Sequence, residues 1–406
     1  MRRSVRVLIG AAAAVALAGG VAAAVTGPTS AATPITTGAI FNDPTDTHHQ
    51  HDIRNYLDSL IRNAANGSTI RISFYHLTDK AMATDLVSAA KDRGISVQIV
   101  LSGTYAPYHK VKGSDGTWHT VSNPDAAAAE TYLYQQLGTR TSGKKSWVVN
   151  CDNGCIAAPV AGKKDPIDHN KLFLFSDTSG GKNVVVGGST NLTATSATLM
   201  WNNAVTVVGN TALYDGLVSY FSDLAAQHKN NNYYRTISAG SVKAYLFPRS
   251  SGDTVDAALG NVSCSGGTSI HIAMWTFSRI AVARHLASLG AKGCKIQIAY
   301  TMLSTDVYAA LHGKQNVALR RLCIPTSAGH EIVHSKYTLI NGTYAGKRAT
   351  LVFTGSHNFS TAALRYNDEN LMKINSAAIY AQYQANFATV YAHGTTGTGG
   401  RVDVCS

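Results

Sequence analysis

Two stretches of the chain share one pattern: D-H-N-K-L-F-L-F at residues 168–175 and V-H-S-K-Y-T-L-I at residues 333–340. In each, a His and a Lys two positions apart lead into apolar residues typical of a strand. A Ser and an Asn, also two apart, follow in G-G-S-T-N at 187–191 and in G-S-H-N-F-S at 355–360. Side chains two apart on a strand point to the same face. Each copy therefore predicts a hairpin that presents an imidazole, an ammonium, a hydroxyl and an amide in one patch.

These residue types suit a phosphodiester substrate. An imidazole can act as a nucleophile or an acid, an ammonium supplies fixed positive charge, and hydroxyl and amide groups donate hydrogen bonds to phosphate oxygens. The predicted catalytic residues are His169, Lys171, His334 and Lys336, and the predicted phosphate-binding residues are Ser189, Asn191, Ser356 and Asn358.

The repeat extends beyond these motifs. I-R-I-S-F-Y at 70–75 is echoed by I-H-I-A-M-W at 270–275, and S-V-Q-I-V at 96–100 is echoed by K-I-Q-I-A-Y at 295–300, with a helical stretch after the first strand of each pair. Strands that alternate with helices indicate βαβ units. We therefore expect an α/β fold of two similar lobes, each a mixed, mostly parallel sheet flanked by helices. The lobes should be related by a pseudo-two-fold axis.

With these residues in view, the chain resembles the phospholipase D superfamily, whose motif is H-x-K-x4-D followed by G-S-x-N or a close variant. The run from Thr354 to Asn370 is especially similar to the bacterial endonuclease branch. The position of the motif's Asp holds Ser176 in the first copy and Asn341 in the second. The resemblance implies one active site at the lobe interface, a covalent phosphohistidine intermediate, and neither a metal nor another cofactor.

The resemblance also implies a supporting carboxylate near each histidine, and here the copies differ. Asn367-Asp368-Glu369-Asn370 follows the second Ser-Asn pair, whereas Trp201-Asn202-Asn203-Ala204 follows the first. We expect Glu369 to support His334 and to keep that ring protonated as an acid. An Asn beside His169 would leave that ring neutral, as a nucleophile must be.

The N-terminal residues indicate an exported protein. Residues 1–32 predict a secretory signal peptide, with Arg2, Arg3 and Arg6 before an Ala-rich apolar run. The remaining chain should divide into lobes at 33–235 and 236–406, with a polar linker at 228–235. At 45% apolar and 14% charged residues, the chain can bury a large core, which excludes a disordered protein.

Six cysteines in an exported chain predict disulfides rather than a zinc site, for which the paired short spacings are absent. Cys151 and Cys155 bracket a turn, and Cys264 and Cys294 precede two strands expected to be neighbours. Cys323 and Cys405 remain as the third pair.

The sequence thus predicts a secreted phospholipase D-type hydrolase, monomeric with an internal pseudo-dimer, that converts phospholipid at a membrane or vesicle surface to phosphatidate and free alcohol. The net charge of +12 attracts polyanions of several kinds, so a secreted metal-independent nuclease is the alternative. A non-catalytic binding module is the third hypothesis.

Overall fold

Two β-sheets, one from each repeat, organise the protein in a computed structural model that describes residues 34–112, 117–396 and 405. The predicted signal peptide at 1–32 lies outside these residues. Residues Pro34–Ser406 group into one compact unit that contains both sheets.

The first lobe holds the elements up to residue 226. Its strands are β1 (Gly38–Phe41), β2 (Thr69–Phe74), β3 (Ser96–Leu101), β4 (Tyr108–Lys112), β5 (Trp118–Ser122), β6 (Trp147–Asn150), β7 (Lys171–Thr178), β8 (Gly181–Gly188), β9 (Met200–Trp201) and β10 (Asn203–Val207). Its helices are α1 (Asp52–Arg62), α2 (Lys80–Asp92), α3 (Ala128–Leu137), α4 (Ala194–Thr198) and α5 (Thr211–Ala226).

The second group of elements begins with β11 at Arg235. The irregular segment 227–234 before it overlaps the predicted linker at 228–235, whose last residue belongs to β11. The strands of this second lobe are β11 (Arg235–Ala239), β12 (Val242–Phe247), β13 (Val262–Ser263), β14 (Ser269–Phe277), β15 (Lys295–Leu303), β16 (Val317–Arg321), β17 (Cys323–Thr326), β18 (Gly329–Val333), β19 (Lys336–Tyr344), β20 (Lys347–Gly355), β21 (Glu369–Asn375) and β22 (Thr395–Thr396). Its helices are α6 (Thr254–Leu259), α7 (Ile280–Ala291), α8 (Thr305–Leu311), α9 (Thr361–Arg365) and α10 (Ala377–His393).

The two main sheets repeat one topology. The first runs β1-β10-β8-β7-β2-β3-β6, and the second contains the matching series β12-β21-β20-β19-β14-β15-β16. The predicted hairpins are β7–β8 and β19–β20, and the lysine of each motif is the first residue of β7 or β19. This correspondence confirms the predicted two-lobed α/β repeat.

The sheets are mixed, but most of their strand pairs are antiparallel, which corrects the expectation of a mostly parallel sheet. In the first sheet only β2–β3 and β3–β6 are parallel, and in the second only β14–β15 and β15–β16. The helical crossovers impose the parallel pairs. The motif hairpin and the strand that returns after it impose the antiparallel ones.

Three apolar cores surround the sheets. One cluster packs α1, α2 and α3 on the outer face of the first sheet, and another packs α6, α7 and α8 on the outer face of the second. The third is shared, because it contains α5, α10 and strand residues of both lobes. Helices α5 and α10 begin at the N-caps Asn210 and Ser376, whose side chains accept hydrogen bonds from Leu213 N and Ile379 N.

Short main-chain pairings join the lobes beside the two motifs. Strand β9 pairs in parallel with β18, and Asp168 forms a parallel bridge with Asp368. As a result, His169 N donates to Asp368 O at 3.0 Å, and His334 N donates to Trp201 O at 3.0 Å. Each His-Lys motif is therefore held by the segment that follows the other lobe's Ser-Asn pair.

All six cysteines are paired as predicted: Cys151–Cys155, Cys264–Cys294 and Cys323–Cys405. Within the described residues, no helix combines the length and apolar character that crossing a bilayer requires.

Candidate active site

The two His-Lys pairs meet in one buried site. His169, Lys171, His334 and Lys336 are each at most 5% exposed. Burial lowers the pKa of both histidines most, and both lysines lower it as well. His169 also lowers the pKa of His334. The structure thus brings the four predicted catalytic side chains together at the lobe interface.

Each histidine is supported by the opposite lobe. His169 Nδ1 lies 2.9 Å from Glu369 Oε1, and His334 Nδ1 lies 2.8 Å from Asn202 Oδ1. The expectation that Glu369 would support His334 is therefore wrong. The segments 200–203 and 368–370 cross the interface and pair with the other lobe. Each segment therefore lies beside the His-Lys motif that is farther from it in sequence.

The serines complete this crossed arrangement. Ser189 Oγ donates to Asn202 Oδ1 at 2.8 Å, and Ser356 Oγ donates to Glu369 Oε2. Both serines are fully buried, so their hydroxyl protons hold the supporting side chains in place. This differs from the predicted direct donation to a phosphate: Ser189 and Ser356 act as positioning residues for the other lobe's histidine.

Asn191 and Asn358, by contrast, keep their side-chain amides uncommitted. Among the described residues, the buried Oδ1 of each has no hydrogen-bond partner. A buried amide without a partner costs about 1–3 kcal/mol, so such groups usually mark a place for a ligand or a water molecule. Oδ1 can only accept a hydrogen bond, so it would take one from a water molecule or a ligand hydroxyl. The predicted phosphate-binding role of these two residues depends on their Nδ2–H groups.

Burial and mutual repulsion set the charges of the site. Burial lowers the pKa of Lys171 to about 7 and holds that of Lys336 well below its ordinary value, while nearby Glu369 opposes both shifts. Burial also raises the pKa of Glu369 to about 8, a shift that the hydrogen bond from Ser356 and the charges of both lysines oppose. Burial and the lysines also hold the pKa of both histidines well below the ordinary value. The rings are therefore neutral near pH 7. In His169, a proton on Nδ1 directed at Glu369 leaves a lone pair on Nε2.

This charge pattern predicts a pH dependence. A lysine that loses its proton no longer attracts phosphate, so kcat/KM should fall as the pH rises above about 7, following the pKa of Lys171. A bound phosphate anion raises the lysine pKa, so the fall in kcat should begin at higher pH. Lys171→Arg keeps its charge and should move the decline in kcat/KM to higher pH. Identical profiles for both proteins would contradict this origin.

Aromatic side chains flank both histidines at equivalent positions. The Tyr75 ring lies 5.4 Å from the His169 ring, and the Trp275 ring lies 5.1 Å from the His334 ring. Among the described residues, only the aromatic wall that starts at Tyr75 continues outward, through Tyr105, whose ring stacks on His76 at 3.6 Å. The motifs did not reveal these residues. The sequence did contain a signal for Tyr75 and Trp275, however, because these two aromatic residues end the similar stretches 70–75 and 270–275.

The replaced aspartates of the motif lie far from the chemistry. Ser176 is five residues along β7 from Lys171, about 16 Å away on an extended strand, where its Oγ accepts a hydrogen bond from Thr69 N at 2.8 Å. Asn341 occupies the same place on β19, where it faces Ser269 across the sheet. The substitutions thus alter a strand contact and leave the catalytic end intact.

Two further carboxylates lie behind the site, where Asp168, Asp368 and Cys155 form a group of potential metal ligands. Cys155 is in a disulfide, and Asp368 accepts hydrogen bonds from the main-chain N–H groups of Cys155, Ile156 and Ala157. Asp168 accepts from Ser73 Oγ at 2.7 Å. Asp368 therefore anchors the disulfide loop beside the strand that carries Glu369, and Asp168 holds the first motif to β2.

Comparison with known proteins agrees with this geometry. Residues 57–225 and 263–391 match the family described as "Cardiolipin synthase, PLD-like domain". The mitochondrial cardiolipin hydrolases of Xenopus tropicalis and Xenopus laevis are each 26% identical over 127 residues, which cover 30% of this chain and 54% of the relative. The match thus spans about half the length of these relatives.

Solved structures share the fold at low identity. Phosphatidylserine synthase from Haemophilus influenzae superposes with a TM-score of 0.59 and 11% identity, covering 86% of each chain. Polyphosphate kinase from Porphyromonas gingivalis gives a TM-score of 0.55 and 11% identity, covering 87% of this chain and 50% of the kinase.

Proposed function

Since the chain belongs to the phospholipase D superfamily, we propose that it is a secreted phosphodiesterase that hydrolyses phospholipids to phosphatidate and free alcohol through a phosphohistidine. The observation that carries this proposal is the crossed site. Two neutral, buried imidazoles each have the lysine of their own motif beside them. Among the described residues, only the His169 ring has a carboxylate at its Nδ1.

The first step forms a covalent intermediate on His169. Its Nε2 attacks phosphorus while its Nδ1 proton is held by Glu369, which stabilises the positive charge that develops on the ring. The bond from phosphorus to the alcohol oxygen breaks, and His334 gives that oxygen a proton. Lys171 and Lys336 neutralise the phosphate oxygens, and the free amides of Asn191 and Asn358 donate to them.

His334 acquires its proton in the substrate complex. Burial, then Lys336 and Lys171, lower the pKa of this ring in the empty site. A phosphate anion between the lysines offsets their repulsion and raises that pKa again. In the second step, His334 takes a proton from water, which attacks phosphorus and releases the His169 nitrogen.

A phospholipid substrate is favoured by the surroundings of the site. The aromatic wall from Tyr75 through Tyr105 leads toward Tyr108, which is 47% exposed and packs against Tyr134. Aromatic side chains with one polar end suit a membrane interface. The sequence relatives named above are, by their names, cardiolipin hydrolases. Of the two solved structures that share the fold, one is named a phosphatidylserine synthase and the other a polyphosphate kinase. Three disulfides support export to an oxidising compartment.

A nuclease is the second candidate, since the net charge of +12 also attracts nucleic acid. One experiment separates the two. Purified protein is incubated in excess EDTA with mixed phospholipid vesicles and, separately, with plasmid DNA. We expect phosphatidate without nicked DNA, and neither product from a His169→Ala control. Nicked DNA alone would replace the lipid proposal, and activity lost in EDTA but restored by zinc or calcium would contradict the mechanism.

A further inference from the structure

A second basic cleft lies on the first lobe, away from the histidines. It has a volume of about 520 Å³ and lies between α5, β6 and the loop at 138–146. Two arginines and a lysine line it above a floor of buried aromatic rings. These residues are Arg71, Arg140, Lys144, Trp147 and Phe221.

The positive charges in this cleft are not neutralised. No carboxylate lines it, and across the described residues none of its three cations forms an ion pair. Arg71 donates only to Tyr214 Oη at 3.4 Å, and Arg140 only to Ala225 O at 3.3 Å. A guanidinium has five N–H donors, so most of the donors of both arginines remain for a ligand.

The second lobe shows that the fold does not require these charges. His271 is the equivalent of Arg71, since each follows the isoleucine that pairs with the fourth residue after the motif lysine. His271 is satisfied internally, by Gln384 at 2.7 Å and by stacking on Phe387 at 4.8 Å. In α5, the equivalent of Gln384 is Val218, which offers no hydrogen bond. Arg71 is thus left available where its counterpart is occupied.

The chemistry of the lining selects the ligand. Thr141 and Ser142 add hydroxyl groups at the rim, next to Gly143 in a turn. Arginine forks match tetrahedral oxyanions, and several cations together favour a dianion over a monoanion. We propose that this cleft binds a terminal phosphate dianion, either inorganic phosphate or the phosphomonoester headgroup of a lipid such as phosphatidate. It is separate from the catalytic site, because Arg71 is four residues, about 13 Å, along the chain from Tyr75.

Two tryptophans make the proposal testable in one spectrum. Trp147 lines the cleft, whereas Trp275 lies beside His334. Protein labelled with ¹⁵N-tryptophan is titrated with inorganic phosphate, and each indole signal is assigned with its Trp→Phe variant. We expect both signals to shift, each with its own Kd. Arg71→Met with Arg140→Met should weaken binding at Trp147 at least tenfold and leave Trp275 unchanged, and Lys171→Met should do the reverse.

Two variants guard against trivial explanations. Ser222→Glu places a carboxylate at the exposed rim without removing a buried side chain, and it should weaken binding at Trp147 as the arginine variants do. Arg284→Met with Lys292→Met removes two exposed cations from the second lobe and should change nothing. A Trp147 signal that ignores phosphate, or that responds equally in all variants, would overturn the proposal.

Vesicle binding distinguishes the two sources of phosphate. With His169→Ala as the parent protein, phosphatidylcholine vesicles contain either phosphatidate, a phosphomonoester, or phosphatidylglycerol, an anionic diester. Binding to phosphatidate vesicles that the cleft variants weaken at least tenfold identifies a lipid headgroup, whereas an effect on inorganic phosphate alone identifies free phosphate. Equal losses for phosphatidylglycerol, or for an unphosphorylated oligonucleotide, would contradict a site for a terminal phosphate dianion. Because these measurements require no turnover, their outcome is independent of the proposed hydrolysis.

Discussion

A His169→Ala variant is expected to release no leaving group from any phosphodiester, whereas His334→Ala should release one equivalent from an activated substrate and then stall. Without His169 nothing can form the covalent bond to phosphorus. Without His334 the first step still proceeds when the leaving group is a stable anion such as nitrophenolate. On a natural alcohol ester, acid catalysis contributes about a hundredfold to ten-thousandfold, so His334→Ala should lose roughly that much.

Rapid-quench kinetics with a nitrophenyl phosphodiester checks this prediction. The His334→Ala protein should show a burst of about one nitrophenol per active site and should accumulate an acid-labile phosphoenzyme, located by mass spectrometry in the peptide that contains His169. The stall arises because the same His334 must activate water. A burst from His169→Ala, with the adduct on His334, would show that the roles are reversed.

The second large effect concerns Glu369. Glu369→Gln removes the carboxyl group that can offset the positive charge developing on the His169 ring, so the first step should slow by about a hundredfold to ten-thousandfold on both activated and natural substrates. Asn202→Ala is the matched control, because Asn202 occupies the same place beside His334. It should impair the natural ester and spare the nitrophenyl burst.

Single-turnover rates of both variants on both substrates give this comparison. The NMR signal of the His169 Nδ1 proton provides a second measurement, since it should be displaced in Glu369→Gln and retained in Asn202→Ala. Loss of the burst in Asn202→Ala together with its survival in Glu369→Gln would mean that His334 is the nucleophile.

Local patterns predicted the catalytic side chains but not their partners. The spacing of His169 and Lys171 places Lys171 on the first residue of a strand and His169 two residues before it, which is a property of a few consecutive residues. The pairing of Glu369 with His169 depends on how the lobes dock. These residues are about two hundred positions apart, so no local spacing in the sequence indicates their contact. The same limit explains the misassigned serines, because Ser356 acts on a carboxylate that supports a histidine of the other lobe.

The repeat contained more information than the motifs alone. Tyr75 and Trp275 are aromatic at equivalent positions, which indicates a shared role beside the histidines. Arg71 and His271 differ at equivalent positions, and only the structure shows that one is internally satisfied and the other is not. Equivalent positions with similar residue types thus mark the site that both lobes share. Equivalent positions with different residue types mark a feature that only one of these lobes has.

Among the described residues, only one of the two catalytic histidines has a carboxylate at its Nδ1, and this difference gives the site a direction. In a symmetric dimer of identical chains, both histidines would be supported by the same type of residue, and a phosphodiester could bind in either of two orientations. Here Glu369 backs one ring and Asn202 the other. Attack from the His169 side requires the departing alcohol to leave on the opposite side of phosphorus, toward His334 and the Trp275 ring. Two identical half-sites would accept the substrate in either direction. Joining the two halves in one chain allows their supporting residues to differ, so that the site distinguishes the two ends of its substrate.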